Sequence, residues 1–224
     1  MLPHAFWQDF CAPETAPHPP YDDRFPARLP DGRILLLPIR PLGETGTAIA
    51  SLILNQSAFA VEGALADILC ARLAAVAPDI VVGLPTLGLS LARLVAARLG
   101  HSRFVALGTS RKFWYDEGLS VPLRSITSPG AEKRLYLDPR MVPLLAGRRV
   151  LLIDDVISSG ASICAGLSVL SLGGVVPVGV GAAMLQTRRW RARLNHGFPG
   201  MAERVVGAFD SPLLTRAGGG WVEA

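Results

Sequence analysis

The stretch VLLIDDVISSGAS, residues 150–162, decides the reading of this chain. An apolar run ends in two adjacent acids, Asp154 and Asp155. It then passes into a loop of small residues, Ser158, Ser159, Gly160, Ala161 and Ser162, and on into a helix over Gly160–Leu172. A loop with so little side-chain bulk lets backbone N–H groups close around a phosphate, and the helix behind it adds the positive end of its dipole. The hydroxyls of Ser159 and Ser162 can donate further hydrogen bonds. The acids fall at the carboxyl end of a strand, where open α/β sheets bind ligands, and paired carboxylates there can accept from two vicinal hydroxyls. A plain helix cap at Ser158 or Ser159 accounts for the small residues. It does not account for the tandem acids, which repel one another and are costly without a counter-charge or ligand. The chain has neither G-x-x-x-x-G-K-[ST] nor G-x-G-x-x-G, which disfavours a P-loop nucleoside triphosphatase and a dinucleotide site. The expected ligand is a sugar phosphate.

Working outward, the same rhythm repeats. Asp79–Leu84 (DIVVGL) predicts a buried strand, Gly88–Leu99 a helix closed by Gly100, and Arg103–Leu107 another strand. Arg149–Ile153 and Val175–Val180 predict two more. Strands alternating with helices predict a parallel sheet covered on both faces. Before this region, Arg33–Ile39 predicts a short strand, and Thr47–Val76 one or two helices ending before Pro78. Lys112–Pro143 is long, polar and irregular, the kind of loop that is functional or mobile. Residues 1–30 hold seven of the 18 prolines and predict an irregular arm. The expected organisation is an arm over 1–30, an α/β core over 31–185 with a flexible loop at 112–143, and a C-terminal segment over 186–224.

Composition narrows the class. Half of the 224 residues are hydrophobic, enough for a sizeable core. The net charge of +4 rests on arginine, since Lys112 and Lys133 are the only lysines. It is too small to predict a nucleic-acid surface. Cys11, Cys70 and Cys164 are odd in number and widely spaced, which predicts a reducing, cytoplasmic setting without a disulfide frame or zinc site. MLPHAFWQDF lacks a basic run followed by an apolar one, so no secretory signal is expected. Gly166–Arg188 is apolar and long enough to span a bilayer. The Gly173-Gly174 pair and Pro177 divide it into helix end, turn and strand, so no membrane span is expected.

The 150–162 stretch resembles the phosphoribosyl-pyrophosphate signature of type I phosphoribosyltransferases, and the order of elements over Asp79–Val180 is similar to that family. The resemblance implies a Rossmann-like parallel sheet flanked by helices, with a small hood. It implies that Asp154 and Asp155 hold the ribose hydroxyls and a Mg2+ ion, and that Ser158, Ser159, Gly160, Ala161 and Ser162 hold the 5′-phosphate. Val82-Gly83-Leu84-Pro85-Thr86-Leu87-Gly88 falls where the family has its pyrophosphate loop, which assigns Thr86, Leu87 and Gly88 to substrate. Arg111 and Lys112 resemble an Arg-Lys pair of adenine- and xanthine-type members that meets pyrophosphate, Lys112 being placed in catalysis. Phe113–Leu137 resembles the catalytic flap, Leu54-Asn55-Gln56 a Leu-Asn-x-Gln stretch, and Val205–Phe209 the late strand of the purine hood. Two positions depart from the pattern. Leu87 stands where many adenine-type members have arginine. Ser158 stands where hypoxanthine–guanine enzymes have an aspartate acting at the purine N7, and a serine is no general base without activation.

The function so implied is transfer of a 5-phosphoribosyl group from phosphoribosyl pyrophosphate to a purine of adenine or xanthine type, with Mg2+, by a homodimer. Two other readings use the same residues. A regulator that binds the sugar phosphate without turnover is favoured by Leu87. An interaction protein whose Ser-Gly loop is only a cap is opposed by Asp154-Asp155.

Overall fold

The computed structural model describes residues 7–123 and 133–224. In chain order the strands and helices are β1 (Phe10–Cys11), β2 (Arg24–Arg28), β3 (Ile34–Pro41), β4 (Thr47–Ala50), α1 (Phe59–Leu73), β5 (Ile80–Gly83), α2 (Gly88–Arg98), β6 (Val105–Ala106), β7 (Ser120–Leu123), β8 (Lys133–Tyr136), α3 (Val142–Leu145), β9 (Val150–Ile157), α4 (Ala161–Leu172), β10 (Gly179–Gln186), α5 (Trp190–Gly197), β11 (Val205–Ser211), β12 (Leu213–Ala217) and β13 (Gly220–Glu223).

Five strands form a wholly parallel sheet in the order β11-β10-β9-β5-β6. Its middle strands are buried on both faces, as continuous apolar runs in a covered sheet must be. The two faces can be read from alternation. Val81, Leu151 and Ile153 pack with α1 and α2, while Val82, Val150 and Leu152 pack with α4. A second, antiparallel sheet joins β1, β2, β3, β4, β12 and β13, so strands from residues 10–50 and 213–223 share it. Gln186, buried at the end of β10, donates from Nε2 to the Ala50 carbonyl at 2.8 Å and ties the two sheets together. β7 and β8 make a separate hairpin.

Several expectations are corrected. The described part of the proline-rich arm is not wholly irregular, because β1 and β2 pair with β3. Thr47–Val76 opens with a strand: Ala48 and Ala50 are buried and their neighbours half-buried, a period of two that pairs with β3 and β12. The strand expected at Val175–Val180 begins only at Gly179, after the exposed Val176 and the buried Pro177. Val205–Ser211 lies at the edge of the parallel sheet, while β12 and β13 join the second sheet. The irregular loop over Lys112–Pro143 holds β7, β8 and short 3-10 turns; its residues 124–132, within the expected flap, lie outside the described ones. Among the described residues no helix is long and apolar enough to cross a membrane. Gly166–Arg188 divides into the end of α4, a glycine turn and β10.

Candidate active site

β9 runs four residues beyond Ile153, so both acids lie within the strand rather than past its end. From Ile157 the chain turns through Ser158, Ser159 and Gly160 into α4. Gly160 has φ +77°, and a Cβ there would stand 3.2 Å from Leu194 Cδ1 and 3.3 Å from both Trp190 Cβ and the Trp190 carbonyl. Backbone and space both demand glycine. Ser159 Oγ accepts a long bond from the Ala161 N–H at 3.4 Å. Together Asp154 and residues 156–163 line a hollow of about 90 Å3 beside the first turn of α4. That volume suits one phosphate-sized group and is too small for a nucleotide. Ser162 is exposed at its rim.

Asp154 is only 5% exposed, and Asp155 is half-buried. The Asp155 N–H donates to Asp154 Oδ1 at 2.9 Å. Burial pushes the Asp154 carboxyl well above the usual carboxylate range, and the neighbouring Asp155 charge adds to this. Burial raises Asp155 as well. Among the described residues no salt bridge reaches either acid. Such a pair favours a bound proton, a cation or hydroxyl donors.

The second loop comes from β5, the direct neighbour of β9. It passes Pro85 and Thr86, joined by a cis peptide, and enters α2 at Gly88. A Cβ on Gly88 would lie 2.8 Å from Asp154 Cα and 2.9 Å from Asp154 Oδ1. The structure therefore brings Gly88 against Asp154, with Thr86 and Leu87 immediately before it in the same loop. Thr86 is exposed, while Leu87 is half-buried.

Arg111 and Lys112 are not gathered there by any described contact. Both are exposed, and Arg111 pairs with Glu117 at 2.9 Å. Their segment is fixed by residues that sequence reasoning missed. Trp114 Nε1 donates to Asp138 Oδ2 at 3.2 Å, and the Arg140 guanidinium both stacks on Trp114 at 4.5 Å and binds Asp138. Arg140 holds the Asp138 carboxyl down at about 2. The signal was present in the aromatic run Phe113-Trp114-Tyr115 and in Asp138 ahead of Pro139, a capping pattern.

No cluster of three or more His, Cys, Asp or Glu side chains suited to a metal occurs among the described residues. Asp154 and Asp155 supply two hard oxygen donors with unmet charge. This fits a Mg2+ ion that takes its remaining ligands from a diphosphate and water.

The phosphoribosyl transferase domain family matches residues 51–196. Among solved structures, the adenine phosphoribosyltransferase of Giardia lamblia, complexed with 9-deazaadenine, is similar at 21% identity and a TM-score of 0.61, over 78% of this chain and 93% of that one. That of Thermoanaerobacter pseudethanolicus is similar at 18% identity and a TM-score of 0.56, over 78% and 95%. That of Trypanosoma brucei, in complex with AMP, pyrophosphate and ribose-5-phosphate, is similar at 21% identity and a TM-score of 0.51, over 68% and 65%. A comparison with curated protein sequences gives no match. These identities establish a shared fold, and the family match covers both loops of the site and the strands that carry them: the chain belongs to the phosphoribosyl transferase domain family.

Proposed function

We propose that the protein transfers a 5-phosphoribosyl group from phosphoribosyl pyrophosphate to a ring nitrogen of a purine, releasing pyrophosphate. The observation that carries this reading is the phosphate-sized hollow beside a buried and a half-buried acid that no salt bridge reaches among the described residues, with Gly88 of the β5 loop packed against Asp154. The N–H groups of Ser158–Ser162 hold the 5′-phosphate. Asp154 and Asp155 accept from the ribose hydroxyls, and their high proton affinity when empty favours such donors. They would also hold Mg2+, which supplies positive charge against the diphosphate.

Residues 85–88 place the leaving pyrophosphate, and Arg111 and Lys112 add positive charge to it after Arg111 leaves Glu117. Bond breaking builds positive charge on the ribose ring and negative charge on pyrophosphate. Catalysis thus comes from alignment and from neutralising the leaving group. Closure of the segment around the β7–β8 hairpin excludes water, which otherwise hydrolyses the activated sugar. An adenine- or xanthine-type acceptor fits Ser158, and the active form is a homodimer in the cytoplasm.

A second reading, sugar-phosphate binding without turnover, is favoured by Leu87, which puts an apolar side chain in the loop that meets pyrophosphate. Isothermal titration with phosphoribosyl pyrophosphate and Mg2+ tests what both readings share. Saturable heat with one site per chain is expected; no binding from pH 6 to 9 contradicts both.

A further inference from the structure

A second cavity, of about 950 Å3, runs beside the free edge of β11 and shares no lining residue with the phosphate-sized hollow. Three guanidinium groups line it: Arg72 from α1, and Arg188 and Arg191 from the start of α5. One acidic side chain, Asp210, also lines it. Arg72 donates to the Ala208 carbonyl at 3.3 Å, and Arg191 pairs with Glu203 at 3.3 Å. Arg188 is exposed and has no ion pair among the described residues. Basic charge therefore exceeds acidic charge along the wall.

Two further features set this place apart from a plain sheet edge. Ser211 is 3% exposed, and its Oγ has no hydrogen-bond partner, although buried hydroxyls are nearly always paired. It lines the cavity. Thr187, a β-branched residue, is held at φ +60° where β10 turns into α5. Strain of that kind persists only where the surroundings impose it. The corner it makes sets the first turn of α5 beside the cavity, at the carboxyl ends of β10 and β11, where α/β sheets take ligands. Guanidinium groups beside a helix start make a phosphate site. Leu185 and Val206 offer an apolar wall, and the volume is that of a nucleotide-sized ligand.

We propose that this cavity binds a second ligand, an organic phosphate of nucleotide size. Arg188, Arg191 and Arg72 hold its phosphates, and Leu185 and Val206 pack against its organic part. The site does not depend on the phosphoribosyl reading. Trp190 borders the cavity and also lies against Gly160 of the phosphate loop, so it is left unchanged in the test.

The probe is ADP in the presence of a chelator, measured by equilibrium dialysis on the full chain, with thermal melts confirming that each variant folds. The double variant Arg188→Ala with Arg191→Ala is expected to weaken ADP binding by about tenfold or more. The pair Ser159→Ala with Ser162→Ala, in the sugar-phosphate loop, should change it by less than about twofold. Absence of saturable ADP binding overturns the proposal. So does binding that the serine pair weakens and the arginine pair leaves intact, because the ADP then sits in the sugar-phosphate loop.

Discussion

Two loops leave the carboxyl ends of neighbouring parallel strands, enter helices and meet at Asp154, yet they are built differently. Residues 158–162 carry hydroxyls, a left-handed glycine and a hollow the size of one phosphate. Residues 85–88 offer Thr86 and an apolar Leu87, and Gly88 is pressed against Asp154. On the proposed reading the first loop holds the sugar phosphate, and the second faces the leaving group without carrying the charge to attract one. Binding and turnover would then rest on different loops, and each can be perturbed separately.

The largest effect is expected from Gly160→Val. A β-branched side chain at φ +77°, crowded by Leu194 and Trp190, costs about 1–3 kcal/mol and displaces the loop. Titration should show phosphoribosyl pyrophosphate affinity falling by about a hundredfold or more. Gly88→Ala follows. Its new methyl group meets backbone at Asp154, which no rotamer change relieves, so the two loops must separate. Weaker binding by about tenfold, with a lower melting temperature, is expected. An unchanged affinity in this variant would mean that the loops act independently.

Leu87→Arg sharpens the contrast in the other direction. Adding the missing charge should lower KM for phosphoribosyl pyrophosphate by about three- to tenfold in steady-state assays. No change would place pyrophosphate elsewhere. The smallest effect concerns stability. Asp154 and Asp155 have folded-state pKa values above their unfolded ones, so between those values the unfolded chain binds fewer protons. Stability of the ligand-free protein then falls as pH rises through that interval. Asp154→Asn removes part of this cost. Its melting temperature should exceed that of the parent by a few degrees at pH 8 and by less at pH 5, at about 2–4 °C per kcal/mol. An equal gain at both pH values would contradict the raised pKa.

How much was legible in the sequence depended on whether the signal was local. The strand–loop–helix around Asp154 was readable because the apolar run, the acids and the small loop lie within thirteen residues, and each has a local physical reason. The β5–α2 unit was readable for the same reason. Thr47–Ala50 was misread as helix, since its Ala-rich composition favours helix while its pairing with β3 and β12 is decided by residues far along the chain. β11 was assigned to the hood for want of any local mark that it pairs with β10. The Trp114–Asp138–Arg140 cluster joins residues more than twenty apart, which no short motif announces. The proximity of Gly88 to Asp154 is likewise a product of β5 lying beside β9.

The most direct measurement is pyrophosphate release from phosphoribosyl pyrophosphate and Mg2+ with adenine, hypoxanthine, guanine, xanthine and orotate offered in turn. The account predicts release with at least one purine, none above background with orotate, and loss of about a hundredfold or more in Asp155→Asn. Release with no base, or turnover unchanged in Asp155→Asn, would contradict it.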